Sequence, residues 1–153
     1  MKIVTVSQMQ ALEIAAGKFG VSADAMMEKA GLAVARHTTE RLANYRGARI
    51  IVLVGPGNNG GDGLVAAIHL HQWGANVQVY ICVPRRDPDP KLSLLKERGI
   101  PITSACDDPG LSLLQHHLAS TSIIIDAVLG TGNTRPLNGQ LKEIMGHVST
   151  AHH

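Results

Sequence analysis

Within the nine residues Gly55-Pro56-Gly57-Asn58-Asn59-Gly60-Gly61-Asp62-Gly63 the chain places glycines at G-x-G-x-x-G spacing, two consecutive amides and a carboxylate. Glycine permits positive φ and lets backbone N–H groups approach an anion closely, so the spacing points to a phosphate-binding turn at the start of a helix. Phosphate binding alone would leave the work to the backbone. The amides Asn58 and Asn59 and the carboxylate Asp62 add oxygen ligands for a hard cation, or an acid/base group beside a ligand. They could also serve only to shape the turn and cap the helix, although capping needs one such residue and three are present. An ordinary dinucleotide-binding turn is followed about 20 positions on by an acidic residue for the ribose. Here Pro84, Arg85 and Arg86 stand in that region. The two arginines would meet a 2′-phosphate or form a solvated charged loop.

The second chemical stretch is Asp126-Ala127-Val128-Leu129-Gly130-Thr131-Gly132-Asn133-Thr134-Arg135-Pro136-Leu137, which follows the apolar run Ser122 to Ile125. A buried strand would deliver Asp126 to its carboxyl end, where open α/β sheets keep their ligand crevice. This loop and the first glycine turn are therefore expected to line one cleft. Gly130 and Gly132 open the backbone for further N–H donors. Arg135 suits a phosphate or a ring face, and equally a solvated surface.

The elements that position these loops follow from periodicity. Ser7 with Gln10 resembles a capping box for a helix running to about Lys18, and Ser22 precedes a helical pattern from Ala23 to Asn44. Gly31 inside that second helix costs about 1 kcal/mol relative to alanine, so a packing reason is expected. Arg49 to Val54 is apolar without alternation, as in a central parallel strand covered on both faces. Helix 62–73, strand 76–83, helix 90–98, strand 101–105, helix 110–119, strand 122–128 and helix 139–147 follow. That alternation predicts an α/β fold, a mostly parallel sheet between two helical layers behind an N-terminal helical segment.

With 153 residues and 44% hydrophobic content, a single domain spanning 1–153 is the natural reading. Its core must rest on aliphatic side chains, since the chain has one Trp, two Tyr and one Phe. A net charge of +2, without a basic cluster larger than Arg85-Arg86, gives no electrostatic footprint for nucleic acid. The eight histidines show no metal-ligand spacing and are expected at the surface. Cys82 and Cys106 lack C-x-x-C spacing and are expected to be buried and reduced. No run reaches the ~18 apolar residues of a membrane helix, and the N-terminus lacks the apolar core of a signal peptide, so a cytoplasmic protein is expected.

Together with the upstream Met27-Glu28-Lys29-Ala30-Gly31, the two loops resemble the motifs of the YjeF N-terminal domain family, the NAD(P)H-hydrate epimerases. The resemblance runs from about Ser7 to Gly139. It implies a Rossmann-like three-layer α/β/α sandwich that interconverts the R and S forms of NADHX or NADPHX. A companion ADP- or ATP-dependent dehydratase, fused or separate, would accept the S form. The family's substrate-binding segment falls on Asn58, Asn59, Gly60, Gly61 and Asp62, and its second loop on Gly130, Thr131, Gly132, Asn133, Thr134, Arg135 and Pro136. Asn59 and Asp126 correspond to ligands of a potassium ion, and Asp62 is the candidate catalytic carboxylate. The family pattern continues to an Asp-x-Pro-Ser-Gly-like turn with a further aspartate and ion ligand. No such sequence occurs before His153, so the domain is expected to be C-terminally incomplete, with an exposed sheet edge that favours self-association as a homo-oligomer. The same domain type also occurs as a non-catalytic ligand-binding or scaffold module. An ordinary Rossmann dehydrogenase is disfavoured by the missing ribose acid.

Overall fold

The computed structural model describes residues 4–131 and 136–151. It has helices α1 (Val6–Lys18), α2 (Ala23–Glu40), α3 (Asn58–Gln72), α4 (Pro90–Glu97), α5 (Ser112–Ser120) and α6 (Gly139–Ala151). Strands β1 (Arg49–Val54), β2 (Asn76–Ile81), β3 (Ile102–Ser104) and β4 (Ile123–Ala127) form one sheet in the order β3-β2-β1-β4. All three pairings are parallel, with Val54 beside Ile81 on one side and Ala127 on the other. The chain thus builds outward from β1 through β2 to β3 and returns to the opposite side of β1, which puts a topological switch point between β1 and β4.

Side chains alternate between two cores. Ile50, Val52 and Val54 of β1, with Val77 and Val79 of β2, pack under α3 together with Ala35 of α2 and Leu95 of α4. Ile51, Leu53 and Tyr80 face the other way, onto Leu114 and Leu118 of α5 and Ile144 of α6. The expected α/β/α sandwich is observed, and five of the six residues of β1 are fully buried because both faces are covered.

Helix α2 lies on α3, and the glycine within it has its reason there. A Cβ on Gly31 would sit 2.5 Å from Val65 Cβ and 2.7 Å from the Asp62 carbonyl oxygen. Helix α2 ends at Glu40, earlier than the expected Asn44. The capping box of α1 belongs to Thr5 and Gln8, not to Ser7 and Gln10: Gln8 N donates to Thr5 Oγ1 and Thr5 N donates to Gln8 Oε1. Two polar pairs at the same spacing compete there, and Thr5, one residue before the first helical turn, holds the N-cap geometry. Helix α1 buries none of its residues, and Leu12, Ile14 and the following Phe19 are exposed. Cys82 is buried as expected, whereas Cys106 is exposed because it falls in the 3-10 turn Ala105–Asp107, outside β3.

Asp108 is one of the few buried polar residues, and it organises the start of α5. Its carboxylate accepts from Leu114 N at 3.0 Å, Leu113 N at 3.2 Å, Tyr80 Oη at 3.1 Å and Ser112 Oγ at 3.4 Å. Burial works to raise its pKa, but these donors outweigh it and hold the carboxyl below its ordinary 3.8. Losing a cap and leaving a buried tyrosine hydroxyl unpaired, Asp108→Ala is expected to cost about 2–4 kcal/mol. Because the folded-state pKa is depressed, that contribution is complete above the unfolded value near 3.8 and is lost as pH falls through the lower folded value. Urea unfolding of the wild type and the variant at pH 7 and in strong acid checks both statements, with the difference between them shrinking in acid.

Candidate active site

The strand ends at the switch point deliver both glycine loops to one place. Gly55 N donates to Ala127 O at 3.1 Å, and Asn59 Nδ2 donates to Leu129 O at 3.0 Å, which joins the loop after β1 to the loop after β4. Between them opens a cleft of about 970 Å³. Pro56, Gly57, Asn58, Asn59 and Asp62 form one side, and Val128, Leu129, Gly130 and Thr131 the other. A third wall comes from Met9, Gln10 and Glu13 of α1. A smaller cavity of about 290 Å³ lies at the opposite end of the strands, around Arg49, Asn76 and His117, away from both loops.

The motif is not the open turn expected from its glycines. Helix α3 begins at Asn58, with Gly57 at the N-cap, so Asn58 to Asp62 are the first turn of a helix that was expected only from residue 62. None of Gly55, Gly57, Gly60, Gly61 and Gly63 has positive φ. Close packing explains four of them. A Cβ on Gly55 would run into the Val128 carbonyl oxygen, and one on Gly60 into the Gly55 carbonyl and the Arg85 guanidinium. Gly61 would meet Met27 Sδ at 2.5 Å, and Gly63 the Ala127 Cβ at 2.5 Å. Gly60 and Gly61 therefore face inward, and neither is among the residues that line the cleft.

Among the described residues, helix α3 starts without a side-chain cap, so its first N–H groups and positive dipole end lie beside the two loops. Asp62 is partly buried in this wall, and burial followed by the negative charge of Glu13 raises its pKa above the ordinary 3.8. Such a carboxyl holds a proton more readily than a surface aspartate. Sequence reasoning missed Gln10 and Glu13, since nothing along α1 distinguishes the face that meets α3 from the others.

Asp126, the penultimate residue of β4, pairs with Leu53 and is exposed, with Oδ1 accepting from Val128 N at 3.0 Å. It does not line the cleft directly, and neither does Pro136, which is exposed. Gly132, Asn133, Thr134 and Arg135 lie outside the described residues. Arg85 is neither a solvated loop residue nor free for a 2′-phosphate. Its guanidinium is taken up by Asp89 and by the carbonyls of Gly55 and Gly57.

The comparisons with known proteins agree with this geometry. The family model for the YjeF-related protein N-terminus matches residues 23–153. The chain is 36% identical over 152 residues to the bifunctional NAD(P)H-hydrate repair enzyme Nnr of Thermofilum pendens, covering 95% of this chain and 28% of that protein. It is 31% identical over 138 residues to the NAD(P)H-hydrate epimerase of Oenococcus oeni, covering 88% of this chain and 61% of that one. The crystal structure of yeast ynu0, YNL200c, superposes with a TM-score of 0.80 at 27% identity, covering 99% of this chain and 66% of that one. The chain thus spans less than two thirds of the length of each of these proteins, and with the family model matching residues 23–153 it belongs to the family of the YjeF-related protein N-terminus.

Proposed function

We propose that this chain forms the epimerase site of nicotinamide-cofactor repair, interconverting the R and S forms of NADHX and NADPHX. The carrying observation is Asp62, a carboxyl with raised proton affinity in a cleft walled by the uncapped start of α3 and the loop after β4. The reacting carbon bears a hydroxyl and neighbours the ring nitrogen. Protonation of the hydroxyl by Asp62 lets the C–O bond break, and water leaves as the nitrogen lone pair forms a conjugated cation. Water then adds to the other face and returns its proton to the Asp62 carboxylate. Atoms balance and no oxidation occurs. The ionised Asp62 faces the cation while it exists, which places negative charge where positive charge develops.

A potassium ion is part of this proposal, and the available donors suit one. Asn59 spends its amide nitrogen on Leu129 O and Asp126 spends Oδ1 on Val128 N, which among the described residues leaves the Asn59 carbonyl oxygen and Asp126 Oδ2 without a hydrogen-bond partner. Both are hard oxygen ligands, held by neighbouring residues of one turn. When bound, the ion would supply fixed positive charge for oxygen atoms of the substrate. Outer-shell changes at metal sites cost ~10–100-fold in affinity, so removing a ligand by Asn59→Ala or Asp126→Ala is expected to weaken activation by potassium at least ~10-fold. Rates measured against potassium concentration, with choline holding ionic strength, check this.

The test of the function is the R-to-S ratio of NADHX followed by chromatography with and without protein. Failure to speed equilibration over buffer would sink the epimerase reading, and binding without turnover would favour a nucleotide-binding module. A dehydratase acting on the S form, fused or separate, would consume the product. Pairing of two copies also belongs to the proposal, since β4 has no outer neighbour among the described residues.

A further inference from the structure

Arg85 lies in the loop between β2 and α4, yet its side chain is only 9% exposed. Its Nε donates to Asp89 Oδ2 at 2.7 Å, and its Nη1 donates to Gly55 O and, at 3.1 Å, to Gly57 O. Asp89 is anchored in turn as the N-cap of α4, with Oδ1 accepting from Lys91 N at 2.9 Å and Leu92 N at 3.3 Å. Burial would raise the Asp89 carboxyl, but Arg85 and these N–H groups hold it below its ordinary range. Gly60 covers the guanidinium, for any Cβ there would meet Nη1. The group is thus enclosed by the loop after β1, the first turn of α3 and the start of α4. It is not among the residues lining the cleft.

We propose that Arg85 is a positioning residue for anion recognition, holding the Gly55 carbonyl away from the cleft and bracing the Gly57 carbonyl so that the uncapped start of α3 meets the diphosphate of a dinucleotide. The Gly57 carbonyl also accepts from Gly61 N at 3.2 Å, the first bond of α3. The identity of that dinucleotide rests on the function proposed above. A carbonyl oxygen facing the cleft would repel phosphate, whereas the free N–H groups of a helix N-terminus attract it. The guanidinium removes the first, while its own charge is balanced by the buried Asp89 carboxylate. Its planar fork can bind two carbonyls and a carboxylate together, which a lysine ammonium reproduces only in part.

The experiment is titration calorimetry of ADP-ribose and of nicotinamide riboside, which lacks the diphosphate, against the wild type and the Arg85→Gln, Arg85→Lys and Asp89→Asn variants, each with its melting curve. Arg85→Gln is expected to weaken ADP-ribose binding about tenfold while nicotinamide riboside changes less than about twofold, with Arg85→Lys in between. With NADHX as substrate, KM should rise by a similar factor while kcat stays nearly constant. Unchanged ADP-ribose affinity in a folded Arg85→Gln variant, or equal weakening of both ligands, overturns the proposal. Should Arg85→Gln fail to fold, Arg85→Lys and Asp89→Asn supply the same comparison. A wild type that binds ADP-ribose but does not epimerise NADHX defeats the proposed activity and leaves the clamp to be judged on ADP-ribose alone.

Discussion

Replacing Asp62 by asparagine is expected to slow epimerisation ~10²–10⁴-fold, the usual contribution of a positioned acid/base group, while the melting temperature at pH 7 stays level or rises. The amide keeps the shape of the carboxyl and cannot pass a proton between the hydroxyl and water. The stability effect has the opposite sign because the pKa of Asp62 is raised in the folded state, first by burial and then by Glu13. The unfolded chain therefore holds its proton less firmly than the native one. Native stability falls as pH climbs from the unfolded value near 3.8 through the raised folded value, and it remains lowered at neutrality. Asparagine escapes that cost. Glu13→Gln should keep most activity and shift the pH–rate profile downward, since one of the two causes of the raised pKa is gone. Rate profiles of the three proteins with melts at pH 7 check the set, and an Asp62→Asn variant of near wild-type rate would remove Asp62 from the chemistry.

The second large effect is expected at Gly55. Gly55→Ala puts a methyl group against the Val128 carbonyl, a backbone atom of a loop tied to β1 through Gly55 N and Ala127 O. Overpacking of this kind costs about 1–3 kcal/mol and more where the obstacle is backbone, so the upper part of that range or loss of folding is expected. The cleft suffers as well, because the two loops must separate to admit the methyl. Gly57 is the internal control. A Cβ there meets nothing within 4 Å, and its φ of −93° suits any residue. Gly57→Ala should stay within about 1 kcal/mol of wild type, the scale of an N-cap change. Denaturation midpoints of the two variants measure the contrast, and equal losses would return the motif to a conformational explanation.

That contrast also marks how far the sequence was legible. The alternation of β-branched runs with amphipathic segments revealed the parallel sheet, its two helical layers and the meeting of both loops at the strand ends. It did so because β1 is covered on both faces and shows no polar alternation. The local state of Asn58 to Asp62 was misread, since two asparagines among glycines have low helix propensity and tertiary packing overrode it. The burial of Arg85 and the third wall from α1 were invisible for another reason. Each depends on contacts about 30 to 50 residues away in sequence, which no local pattern encodes. Asp108 gave no signal in the sequence, since the N–H groups it accepts from, those of Leu113 and Leu114, lie five and six residues on, too far for ordinary N-cap spacing.

Helix α1 supplies Glu13 to the cleft and yet buries none of its residues. A segment so weakly held has a low free energy of local opening. Its closed state brings a negative charge to Asp62 and its open state takes that charge away, so the opening equilibrium and the titration of Asp62 are thermodynamically linked. Protonation of Asp62 must favour the closed helix, and any ligand that presses the helix down must raise the proton affinity of Asp62 by the same free energy. The acidity of the Asp62 carboxyl is therefore not a fixed property of its pocket but follows the docking of a neighbouring helix, and a ligand that favours the docked helix and the proton would each promote the binding of the other.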